Sequence, residues 1–127
     1  MTRLRFEKIE RIADDIPEVE VYGDDEGDLL VLGWGSTFGV NRTAVQRART
    51  AGKKVSQAHL RHLNPFPKNL GDVLRRFKRV LIPENNMGQL TLLIRGKFLI
   101  DAEGLHRVTG RPFTISEVEA KILEMVD

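Results

Sequence analysis

The chain of 127 residues contains no cysteine. Its own residues therefore cannot form disulfides, zinc–thiolate sites, iron–sulfur ligation or a thiol nucleophile, and the absence fits a reducing, cytoplasmic setting. No apolar run approaches the ~18 residues that a membrane span needs. Arg3, Arg5, Glu7 and Lys8 stand where a secretory signal would carry its apolar core, so the N-terminus does not read as one. Aromatics are few, and the net charge is only +2. The basic clusters Lys53–Lys54, Arg75–Arg76 and Lys78–Arg79 have no interleaved series of aromatic residues. They fall at expected helix ends, where cations complement the carbonyl end of the helix dipole, so nucleic-acid binding is not expected.

What is present describes a soluble α/β domain. A hydrophobic content of 41% is enough for a packed core and argues against disorder. At this length one domain is expected. Residues 1–27 read as a linker or N-terminal arm ending in the acidic turn Gly23-Asp-Asp-Glu-Gly27, and residues 28–127 as the compact unit. Two apolar runs end in breakers, Leu29–Leu32 before Gly33 and Gly35 and Arg79–Ile82 before Pro83, and between them an apolar–polar stretch from Lys54 to about Leu60 ends in a Pro-clamped loop. A short apolar run followed by helical periodicity is the pattern of a buried parallel strand feeding a crossover.

The intervening helices carry the stripes Val40, Ala44, Val45, Ala48, Ala51, then Leu70, Val73, Leu74, Phe77, then Leu90, Leu93, Ile94, Phe98 from a start near Met87. Gly52 is placed as a helix stop, and Ser36, Thr37 or Asn41 and then Asn69 as N-caps. Leu105–Val108 is a further short strand. Thr114 and Glu117 form a capping box for a closing helix, with Phe113 and Val118 as its hydrophobic staple. The expected architecture is three-layered, a mainly parallel sheet with helices on both faces. Its three loops then share one edge, where open α/β sheets present their working surface.

Tests for chemistry on that edge are mostly negative. In Gly33-Trp-Gly-Ser-Thr-Phe-Gly39 the third glycine of a dinucleotide fingerprint would stand at Phe38, and no ribose-binding carboxylate ends the next strand. The same loop is no nucleophile elbow, since Trp34 and Phe38 flank Ser36 where glycines are required. His59 and His62 lie three apart and diverge across a strand, so they make no metal pair. Glu84-Asn-Asn-Met-Gly88 has two readings: side chains capping the next helix, or a polar contact surface. No catalytic, cofactor-binding or metal residue is assigned. Interface or ligand-edge candidates are Trp34, Ser36, His62, Asn64, Phe66, Glu84, Asn85 and Gln89. A rival reading makes the Gly33–Gly39 helix start the anion site of a stand-alone small-anion or nucleotide sensor.

Leu30-Val-Leu-Gly-Trp-Gly-Ser36, Leu60-Arg-His-Leu-Asn-Pro-Phe-Pro67 and Val80-Leu-Ile-Pro-Glu-Asn-Asn-Met-Gly-Gln-Leu90, in this order and spacing, resemble the C-terminal part of the alpha subunit of 2-oxoacid:ferredoxin oxidoreductases, most of all the 2-oxoglutarate type. The resemblance covers residues 28–127, with residues 1–27 following more loosely. It implies a fold similar to the transketolase C-terminal domain. It also implies an enzyme that turns a 2-oxoacid and coenzyme A into acyl-CoA and carbon dioxide, with electrons passed to ferredoxin. Thiamine diphosphate, magnesium and an iron–sulfur cluster serve that holoenzyme. In such enzymes an N-terminal alpha-subunit domain holds the thiamine pyrimidine, and the beta subunit holds the diphosphate through a Gly-Asp-Gly motif followed by Asn. This chain has no Gly-Asp-Gly. The resemblance thus implies an assembly module that binds none of these cofactors alone. Its implied partners are the rest of an alpha subunit and a beta subunit, or a second copy of itself in isolation.

Overall fold

The computed structural model describes residues 18–61, 67–84, 89–100, 102–106 and 113–126. Five strands, β1 (Val21–Tyr22), β2 (Gly27–Trp34), β3 (Val55–Leu60), β4 (Phe77–Glu84) and β5 (Ala102–His106), form one sheet in the order β1-β3-β2-β4-β5. β2, β3, β4 and β5 run parallel, and only β1 is antiparallel to its neighbour. The helices are α1 (Phe38–Thr50), entered through a 3-10 turn at Gly35–Thr37, α2 (Leu70–Arg75), α3 (Gln89–Phe98) and α4 (Ile115–Val126).

Alternation along β2 builds the three layers. Leu30 and Leu32 enter one core with Leu70, Val73 and Leu74 of α2 and Leu90 and Ile94 of α3. Leu29 and Val31 enter the other with Ala44, Val45 and Ala48 of α1 and Val118, Ile122 and Met125 of α4. All four strand residues are 0% exposed, which is why the run is apolar without interruption. The register pairs Trp34 with Leu60 and Glu84 with His106, so the carboxyl ends of the parallel strands gather on one edge, as expected.

The capping box is present. Glu117 N–H donates to Thr114 Oγ1 at 3.2 Å, while Phe113 and Val118 are buried in the same core. Gly52, at φ +87°, stops α1.

Other local expectations are corrected. Ala51 is exposed rather than part of the buried stripe. Phe77 opens β4 instead of closing α2, still buried, and β4 continues through Pro83 to Glu84. Pairing with β2 stops at Leu81, so the missing N–H of Pro83 falls where β4 is laddered only to β5. The last strand begins at Ala102, earlier than expected, and Val108 lies outside the described residues. Neither Thr37 nor Asn69 makes a side-chain cap. Asn69 instead accepts from Val19 N–H at 2.8 Å and donates to the Val19 carbonyl at 3.0 Å, as a neighbouring strand would. Val19, Val21 and Tyr22, placed in the arm by sequence alone, thereby join the sheet and its core.

Candidate functional site

The carboxyl edge is built by the exits of β2, β3 and β4. At the β2 exit, Gly33 lies in extended backbone and Gly35 turns at φ +68°. Gly33 serves close approach rather than turning: a Cβ there would stand 2.4 Å from Asn41 Nδ2 and 2.9 Å from Thr37 Oγ1. Asn41, fully buried, donates through Nδ2 to Thr37 Oγ1 at 3.4 Å, and the Thr37 hydroxyl donates to the Trp34 carbonyl at 3.2 Å. These bonds tie the start of α1 to the end of β2. Asn41 Oδ1 is buried and has no partner among the described residues. Trp34 is half-buried at the margin of the α2–α3 core.

At the β4 exit Glu84 is only 2% exposed. Its Oε1 accepts from Leu90 N–H at 3.0 Å, and its Oε2 accepts from Thr91 N–H at 3.0 Å and from the Thr91 hydroxyl at 2.7 Å. A carboxylate on the free N–H groups opening α3 satisfies donors that the helix cannot, and it opposes the positive end of the helix dipole. Of the two readings of Glu84–Gly88, the capping one describes Glu84. Ser36 lies in the 3-10 turn and Gln89 opens α3. His62, Asn64, Phe66 and Asn85 lie outside the described residues.

Beside the β3 exit is a cleft of about 250 Å³, lined by Phe38, Arg42, Gln57, His59 and Arg61 together with Val19 and Pro67, with Glu18 and Glu20 on its walls. The Arg42 guanidinium carbon sits 3.9 Å from the Tyr22 ring centre and 5.1 Å from that of Phe38. Arg42 Nε donates to Gln57 Oε1 at 2.7 Å, and Gln57, 1% exposed, donates through Nε2 to the Phe38 carbonyl at 3.2 Å. Phe38 meets the His59 ring edge-on, with ring centres 5.1 Å apart.

Partial burial, with the Arg61 charge adding to it and the Gly35 backbone opposing, holds the His59 imidazole below its ordinary 6.5. The unfolded chain therefore binds more protons than the folded one once the pH drops below that value. The stability His59 contributes is complete above pH 6.5 and declines as the pH falls through the lower folded value. Chemical denaturation followed from about pH 8 to about pH 5 is expected to show a shallower acid loss for His59→Gln than for the wild type. Parallel profiles would remove His59 as a contributor.

Residues 27–118, from β2 into α4, match the model of one protein family, described as the pyruvate:ferredoxin oxidoreductase core domain II. The chain belongs to that family. This core domain II is 49% identical over 120 residues to the 2-oxoglutarate oxidoreductase subunit KorA of Mycobacterium tuberculosis, a match covering 93% of this chain and 18% of the relative. A 2-oxoglutarate:ferredoxin oxidoreductase from Magnetococcus marinus, solved with 2-oxoglutarate, coenzyme A and succinyl-CoA bound, superposes with a TM-score of 0.91. That match has 33% identity and covers 100% of this chain and 23% of the other. The fold is also that of a split-gene transketolase solved as an inactive beta4 tetramer, with a TM-score of 0.63 at 15% identity over 84% of this chain and 41% of the other. The family resemblance and the transketolase-like architecture read from the sequence are borne out. The chain spans about a fifth of the length of its oxidoreductase relatives.

Sequence reasoning missed the cleft of this core domain II. The signal was a period of two: Gln57 and His59 alternate on β3 and Arg61 continues the spacing one residue past its end, while Arg42 is one turn beyond Phe38 on the same face of α1. Only the pairing of β1 with β3, which brings Tyr22 over Arg42, turns those residues into one wall.

Proposed function

We propose that this core domain II is a non-catalytic assembly domain of the alpha subunit of a 2-oxoacid:ferredoxin oxidoreductase of the 2-oxoglutarate type. The enzyme assembled with a beta subunit would make acyl-CoA and carbon dioxide from a 2-oxoacid and coenzyme A and would reduce ferredoxin. Thiamine diphosphate, magnesium and an iron–sulfur cluster would supply that chemistry from elsewhere in the assembly. The chain has no cysteine for a cluster, and among the described residues no three His, Asp or Glu side chains gather for a metal.

The observation that carries the reading is the near-complete overlay on a domain of a 2-oxoglutarate:ferredoxin oxidoreductase, with a close sequence relative of the same kind. At the β4 exit the polar chemistry is also turned inward, through Glu84. Three of the four exposed large hydrophobic residues among those described, Leu92, Leu93 and Leu99, lie on α3 or directly after it. Leu99 adopts φ +56°, a conformation that a leucine enters only at a cost. Apolar side chains held in water on one element suit a domain that is covered by others.

Proposed contacts on the carboxyl edge are Trp34, Ser36, His62, Asn64, Phe66, Asn85 and Gln89, with Trp34 and Phe66 as aromatic anchors. In a titration of the alpha subunit against its beta subunit, Trp34→Ala is expected to weaken association by at least ~1 kcal/mol. Unchanged affinity would argue against this edge as the interface.

A further inference from the structure

The Arg42 guanidinium is held on three sides. The Tyr22 ring covers one face at 3.9 Å, the Phe38 ring lies 5.1 Å away, and its Nε is fixed by Gln57 Oε1 at 2.7 Å. Gln57 is itself anchored, since its Nε2 donates to the backbone carbonyl of Phe38, and it is almost wholly buried. What remains uncommitted is the pair of terminal amino groups, which find neither a carboxylate nor any other acceptor among the described residues. A guanidinium with its plane and Nε fixed presents those two donors as a rigid fork, the geometry that matches a carboxylate. The partner now bonded to it is a neutral amide, and no carboxylate among the described residues pairs with it.

The surroundings narrow the ligand further. Arg61 lines the same cleft from the end of β3, His59 lines it with its ring edge against Phe38, and Val19 and Pro67 supply apolar wall. Phe38 is 44% exposed although it is aromatic, which leaves it available to a second hydrocarbon surface. Glu18 and Glu20 also line the cleft, but both are exposed and solvated, so they temper the long-range field more than the contact at Arg42. A volume of about 250 Å³ is below the roughly 300–1,000 Å³ of pockets for drug-sized molecules.

We propose that this cleft binds a small organic carboxylate, its acid group on the Arg42 fork and its hydrocarbon body against Phe38, Val19 and Pro67. The proposal is independent of the assembly reading. It makes the β1–β3 margin a ligand site, next in sequence to the proposed contacts that follow β3 and apart from those on the β2 and β4 exits.

Benzoate is the probe, titrated into the isotopically labelled 127-residue chain by NMR with calorimetry alongside. Saturable binding is expected, with shifts confined to Phe38, Arg42, Gln57, His59 and their neighbours. Benzyl alcohol, the uncharged shape mimic, and inorganic phosphate, a bare anion, should each bind at least about tenfold more weakly. Arg42→Gln should abolish binding, and Arg61→Gln, an exposed change that leaves the Arg42 clamp intact, should weaken it several-fold with an unchanged melting temperature. Non-saturating shifts scattered over the surface would overturn the proposal. So would equal binding of benzyl alcohol, which makes the cleft merely apolar, or of phosphate, which makes it a general cationic patch. Undiminished affinity in the Arg61→Gln chain together with a folded Arg42→Gln chain that still binds would do the same.

Discussion

Glu84→Ala is expected to lower the stability of the chain by about 3 kcal/mol, measured by urea denaturation. The side chain ends β4 and reaches over the opening of α3, where it accepts from two backbone N–H groups and one hydroxyl. Leu90 and Thr91 are buried, so water does not readily replace the lost acceptor. Each donor left unpaired in such a place costs about 1–3 kcal/mol, and partial relaxation keeps the total below the sum. The negative charge contributes as well, because it faces the positive end of the helix dipole. Glu84→Gln separates the two parts. It preserves shape and one acceptor but loses the charge and turns an amide N–H₂ toward a donor, so about half the alanine effect is expected. A loss below about 1 kcal/mol for the alanine variant would show that α3 is held by its apolar face alone.

Gly33→Ala is the second large effect, expected at about 2–3 kcal/mol. Its backbone is extended, so the cause is space rather than conformation. The new methyl would fall 2.4 Å from Asn41 Nδ2 and 2.9 Å from Thr37 Oγ1. Asn41 is fully buried and cannot swing outward, so α1 must move or the hydrogen bonds through Thr37 must break. Adding Asn41→Ala should restore much of the loss, with a coupling of at least ~1 kcal/mol in the double-mutant cycle. Additive effects would mean that the methyl is accommodated in some other way.

The central strands were legible because burial on both faces demands an unbroken apolar run. Leu29–Leu32 and Leu81–Ile82 show that demand with no contribution from distant residues. The capping box was legible for the same reason: Thr114 and Glu117 lie within one helical turn, and their bonds are local. Asn69 carries the same local signal as a cap, yet it serves Val19, fifty positions away in sequence. β1 was hidden because its ladder is two residues long and the alternation of Val19 and Val21 with Glu18 and Glu20 is too short to mark a strand, so its place depends on β3 as a template.

Local patterning by itself determined the layers, the parallel core of the sheet and the gathering of its exits, since each strand and helix stripe follows from which faces must leave water. The family was legible in the three motifs at those exits. Tertiary structure alone decided where the polar groups go: Glu84 inward onto α3, Asn69 onto Val19, and Arg42 between Tyr22 and Phe38. Apolar residues need only an interior, which periodicity announces. A hydrogen bond or a stacked cation needs one particular partner at a fixed distance and angle, and those partners come together only once the chain has folded.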